Sequence, residues 1–153
     1  MQIKINITGI PDLSKIGDGT KKPTEFFQDL MKLRRTSFYE QIASGKDATG
    51  KRVAPLKQAY AARKLAKWGK RAIRVASGKM QSTYRAYIDG DSLVEEINSP
   101  IAVHHQTGTD KMPARQLLPK SFEELPSAEK KMITRLSSEF IDKLINELAT
   151  RNL

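Results

Sequence analysis

The sequence predicts an α+β domain: a small antiparallel sheet of three to four strands packed against two long amphipathic helices, with a long basic extended segment. Three observations predict it. Apolar and polar residues alternate near the start of the chain. Two long stretches, one before and one after the middle, carry apolar residues at three- and four-residue steps. Between them, two alternating runs flank Asp89-Gly90-Asp91. Alternation marks a half-buried strand, and the longer step marks a helix with one buried face. The 153 residues are read as one domain, spanning 1–153.

Each element can be justified in order. Over residues 2–8, Ile3, Ile5 and Ile7 share one face and Lys4 and Asn6 the other, which reads as a strand. Residues 9–22 hold Gly9, Pro11, Gly17, Asp18 and Gly19 and read as a loop. Over 24–43, Phe27, Leu30, Met31, Arg34, Phe38 and Ile42 form a helical stripe, widened by Phe26 and Leu33. Pro23 suits its first turn, Glu25 and Asp29 its positive end, and Gly45 its stop.

Residues 44–55 form a Gly- and Lys-rich connection. Leu56–Trp68 is a second helix, its apolar side made of Leu56, Ala59, Tyr60 and the aliphatic stem of Lys64, with Gly69 ending it. In 70–78, Ile73 and Val75 alternate with basic residues, as in an extended arm. Residues 82–88 and 92–98 form a hairpin about Asp89-Gly90-Asp91. Pro100–Gln106 reads as one helical turn, 107–116 as a loop, and Leu117-Leu118 as part of a short strand. Ser121 and Glu124 fit a capping box. Ser127 caps a last helix to about Thr150, with Ile133, Leu136, Phe140, Ile141, Leu144, Ile145 and Leu148 as its core stripe.

Composition narrows the functional classes. There is no cysteine, which excludes disulfides, thiolate nucleophiles and thiolate metal centres. No apolar run approaches the roughly 18 residues of a membrane span. The start, MQIKINITGI, lacks the apolar core of a signal peptide, so synthesis in the cytoplasm and no membrane partner are expected. Twelve of the 27 basic residues, but one of the 17 acids, fall between Lys46 and Arg85, leaving the remainder of the chain nearly neutral. A regional excess of this kind favours an anionic partner or serves as a solvated face.

Catalytic patterns are missing. There is no P-loop, no GxGxxG and no GxSxG. His104 and His105 are adjacent, so they point in different directions; with Asp110 they match no zinc spacing, and one is expected to pack while the other is exposed. Glu95 and Glu96 alternate across a strand and make no working pair, and Glu123 and Glu124 suit a helix start. Tyr60, Trp68 and Tyr84 lie among the basic residues and could stack on bases, although such aromatics more often pack in a core or interface. No sequence-reading DNA or RNA motif accompanies them. No cofactor, metal or enzymatic activity is therefore expected.

Four ordered blocks remain. Gly50-Lys51-Arg52-Val53-Ala54-Pro55-Leu56, followed by Tyr60 and Lys64, is similar to G-x-x-W-x-P-L, with Val53 in place of tryptophan. Val75-Ala76-Ser77-Gly78-Lys79-Met80 resembles L-x-x-[ST]-G-x-[LM]. Ile101-Ala102-Val103-His104-His105-Gln106-Thr107-Gly108 resembles Y-A-x-x-H-Q-x-G, with Ile101 in place of tyrosine. Pro113-Ala114-Arg115 matches P-x-R. Together they resemble the phage virion morphogenesis family, the Mu-like, tail-completion group of head–tail joining proteins, over most of residues 24–120.

The resemblance implies a structural virion protein without catalysis. It would form a homo-oligomeric ring, by analogy a hexamer, that caps the tail as a completion or terminator protein and enables head–tail joining. Its neighbours would be tail tube and neck or connector proteins, and its place the head–tail junction of the virion. A neck or head-completion connector is the alternative; a nonspecific nucleic-acid-binding module is the alternative from another class. Gly50, Gly78 and Gly108 are expected at turns. Pro55 and Leu56 should lead into a helix, with Pro113 opening the last block. His105 and Gln106 should bond the following loop, and Arg115 should bond carbonyls or a carboxylate across an interface.

The segment 44–78 is expected to project and meet a neighbour through Lys51, Arg52, Lys57, Arg63, Lys64, Lys67, Lys70, Arg71 and Arg74. Protein is favoured over DNA in a ring lumen, because many phosphate contacts would hinder passage of the duplex.

Overall fold

A computed structural model describes residues 2–5, 24–90 and 92–151. The fold is α+β. Its elements are β1 (Gln2–Ile5), α1 (Thr24–Ser44), α2 (Gln58–Trp68), α3 (Lys79–Ser82), β2 (Tyr84–Asp89), β3 (Ser92–Ile97), α4 (Pro100–Thr107) and α5 (Ser127–Arg151). The strands pair antiparallel in the order β1-β3-β2. The hairpin closes with Asp89 opposite Ser92 and with Gly90 at φ +61°, a backbone angle that a glycine adopts without strain. The expected loop at 9–22, Pro23, the strand residues 6–8 and Asp91 lie outside the described residues.

α1 and β3 build the core by their own periods. On α1, Phe26, Leu30, Arg34, Phe38 and Ile42 fall at four-residue steps and are all buried. On β3, Leu93, Glu95 and Ile97 alternate onto one face and are all buried. Two apolar clusters result. Phe26, Leu30, Leu93, Leu125 and Ile133 form one. Phe38, Ile42, Met80, Tyr84, Ile97, Ala102, Leu117 and Leu118 form the other, where the rings of Phe38 and Tyr84 stack at 4.0 Å. Phe26 proves central to the α1 stripe, whereas Phe27, Met31 and Leu33 only flank it.

Arg34 and Glu95 occupy the middle step of each element, between the clusters. The Arg34 guanidinium donates to both Glu95 carboxylate oxygens, through Nε at 3.2 Å and Nη2 at 3.0 and 3.2 Å, and through Nη1 to Glu129 of α5. Tyr84 donates its hydroxyl to Glu95 at 2.6 Å. Burial opposes the Arg34 charge, but Glu95 and Glu129 more than offset it and raise its pKa. Burial and the Glu95 carboxylate hold the Tyr84 proton on and raise its pKa. Glu96, on the opposite face of β3, stays partly exposed.

Several expectations are corrected. Leu117 and Leu118 are buried but form no strand; Gln106 substitutes for a strand neighbour. Its Oε1 accepts both Leu117 N, at 2.9 Å, and Leu118 N, at 3.1 Å, and its Nε2 donates to Leu118 O at 2.8 Å. Ser121 makes no side-chain cap. The Glu124 carboxylate instead accepts from Lys120 N at 2.9 Å and Gln116 Nε2 at 2.7 Å, while 122–124 form a short 3-10 turn. Pro100–Thr107 is a helix of 8 residues, not one turn. On α5, Ile133 and Leu144 are buried, but Ile145 is 58% and Leu148 41% exposed. No described helix is long and apolar enough to cross a membrane.

Candidate functional site

The segment 44–78 is not an extended projection. Its first part folds back on the body. Asp47 Oδ1 accepts from Thr49 N, Thr49 Oγ1 and Lys51 N, which makes a tight turn at 47–51. Ala48 N then donates to Gln116 O at 3.0 Å and Val53 N to Gly45 O at 3.0 Å, burying Ala48 and Val53. The middle part, α2, faces outward, and of its residues only Lys64 is buried.

Three of the expected partner-binding cations are internal staples. Lys64 places its ammonium on the carbonyls of Ala72 and Ile73, the latter at 2.9 Å, so its charged head rather than its stem seats it. Arg74 donates to the carbonyls of Gln116 and Gln41, each at 3.1 Å, and to that of Lys46. Arg115 donates to Ala54 O at 3.0 Å and Pro55 O at 3.1 Å. A planar fork suits such paired carbonyls. These side chains cannot also lie on a free surface. Lys51, Arg52, Lys57, Arg63, Lys67, Lys70 and Arg71 remain exposed, and Lys67 sits over the Trp68 ring at 4.6 Å. Tyr84 is buried in the core, which removes it as a base-stacking platform.

The staples bring four distant stretches together around one open groove of about 820 Å³. Pro55 and Leu56, Ser77 and Gly78, Ile101 and His105, and Pro113 and Arg115 lie in its walls. Part of each of the four sequence blocks therefore lies on one concave surface. The last two blocks are joined directly by Arg115 N, which donates to His105 O at 2.7 Å. Gly108 closes α4 at φ +76°; a Cβ there would lie 2.8 Å from Ala114 N and 3.1 Å from Met112 O. Gly50 and Gly78 also have positive φ, as expected of them.

The groove is electropositive. Its walls include the exposed Lys57, Arg63, Lys79 and Lys111, the stapled Arg74 and Arg115, and, among the described residues, no Asp or Glu. Burial lowers the His105 pKa to about 4, helped by Arg115, Arg74, His104 and Lys64, so this ring is neutral at pH 7. His104 is exposed beside it, while His105 Nδ1 is buried without a hydrogen bond. Burial also lowers the Arg74 pKa, to about 10; Asp47 opposes the shift and Arg115 adds to it. Among the described residues no three His, Asp or Glu side chains are placed to hold a metal ion.

Gln106 bonds the stretch after its loop, as expected, whereas His105 Nδ1 does not, and the sequence missed Asp47 as a turn organiser. Gly50 three residues after Asp47 was the available signal for that turn. The surface offers cationic and apolar contacts. No family profile, curated protein or solved structure matches the chain.

Proposed function

We propose that this protein is a structural, non-enzymatic virion component at the phage head–tail junction, a tail-completion or terminator ring that caps the tail and allows heads to join. One observation carries the reading. Each of the four blocks behind the family resemblance contributes residues to the walls of a single groove, although they span residues 50–115 of the chain. Their polar groups either hold the backbone together or present positive charge. Such a surface offers a protein neighbour both charge and apolar area.

The test is electron microscopy of lysates from phage with this gene deleted. Unjoined heads beside tails of uncontrolled length are expected. Tails of normal length beside separate or leaking heads would move the protein to the neck side of the junction. Intact, infectious particles would overturn the virion role.

A further inference from the structure

We propose that the basic groove of one copy receives the C-terminal half of α5 from a second copy. The two surfaces are complementary. The groove carries four exposed cations, Lys57, Arg63, Lys79 and Lys111, and among the described residues no acid, and it exposes Ile101 at 58% and Tyr60 at 44%. The outer part of α5 leaves Ile145 and Leu148 exposed one helical turn apart. Farther round the helix, with Asp142 nearest Ile145, a shallow depression is lined by Glu139, Asp142, Asn146 and Glu147, of which Glu139 is paired with Arg135. Lys143 lies in the same depression, but its ammonium is held by Glu25 of α1. Uncovered large apolar side chains framed by charge mark an interaction surface. Here the frames have opposite sign.

The surfaces share no residue, so one copy can offer both at once. Groove and helix end are different patches, which makes the contact heterologous: each copy gives its helix to the next and receives one from the last. Closure of such a chain produces a ring. The pairing thus rests on the ring reading for its setting. A nucleic-acid strand fits the groove less well, because Ile101, Met112, Pro55 and Pro113 would be covered by a charged backbone that gives them no apolar partner.

Sedimentation velocity of the purified full chain, from micromolar to hundreds of micromolar, tests the pairing. The mass of the native protein should rise with concentration and fall with added salt, because exposed charges are screened. Arg63→Glu with Lys111→Glu, and separately Asp142→Lys with Glu147→Lys, should each weaken association by about tenfold or more. Arg63, Lys111 and Asp142 are exposed and Glu147 partly so, so circular dichroism should be unchanged. Mixing the two variants should restore assembly, since each reversed groove then meets a reversed helix.

Assembly that ignores both variants overturns the pairing and leaves the ring to other surfaces. A protein that stays monomeric throughout overturns it as well, while the virion role is decided separately by the microscopy. A monomer that binds duplex DNA, and loses that binding with Arg63→Glu and Lys111→Glu, assigns the groove to phosphate instead.

Discussion

Replacing Arg34 with Met isolates the contribution of the buried ionic cluster. Met keeps most of the apolar stem and removes the charge. Arg34 is 1% exposed and Glu95 0% exposed, and Glu129 is also buried. Without the guanidinium, two carboxylates face each other with only the Tyr84 hydroxyl and the Gln41 amide, at 3.4 Å from Glu129, as donors. Breaking a buried pair from one side costs about 3–5 kcal/mol. That is a large part of the roughly 5–15 kcal/mol that holds a domain folded.

The assay is urea denaturation at two pH values. Buried carboxyls without a counter-charge hold protons more tightly in the folded than in the unfolded chain. The folded variant then binds more protons, and its stability falls as pH rises. The deficit should be smallest near pH 4 and largest near pH 7. Adding Glu95→Gln and Glu129→Gln should recover at least half of it and remove the pH dependence. A single variant within about 0.5 kcal/mol of native at pH 7, or a deficit equal at both pH values, would refute the reasoning.

Three further outcomes concern the groove. Arg115→Met should cost about 2 kcal/mol in urea denaturation and speed amide exchange over 50–56, and Arg115→Lys should not rescue it, because one ammonium cannot replace the fork. Gly108→Ala should cost roughly 2 kcal/mol or more, from the positive φ and the contact with Ala114 N, whereas Gly78→Ala, which meets open space, should cost about 1 kcal/mol. His105 has a folded pKa near 4 against 6.5 unfolded, so its neutral form contributes stability above about pH 6.5 that is lost as pH falls toward 4. In His105→Gln the loss of stability between about pH 7 and pH 4.5 should shrink by about 1–2 kcal/mol, discounted for the partial exposure of the ring.

The parts of the fold legible in the sequence are those with strict periods. The four-residue steps of α1, the alternation of β3 and the Asp89-Gly90 turn each leave a pattern that survives without tertiary information. Even Arg34 stood on the apolar stripe. What was not legible depends on acceptors that every residue carries. Lys64 and Arg74 look like surface charge because their partners are backbone carbonyls, which no sequence motif reports; for Arg115 carbonyl partners are among those expected, but not which ones. Leu117 and Leu118 look like a strand because a glutamine amide satisfies their backbone as a neighbouring strand would. The blocks were visible one by one, but their convergence on a groove depends on those same carbonyl bonds.

The placement of Arg34 between two greasy patches has a consequence for alignment. Apolar contacts are forgiving: Leu30 could rest where Phe26 rests, at modest cost. A slide of α1 by one turn, about 5.4 Å, would otherwise be a plausible mispacking. It would carry Arg34 from Glu95 onto Leu93 or Ile97, stranding a cation against hydrocarbon and leaving two acids behind. The guanidinium thus works as an indexing pin: one side chain selects a single seating of helix on sheet from several that grease alone would accept.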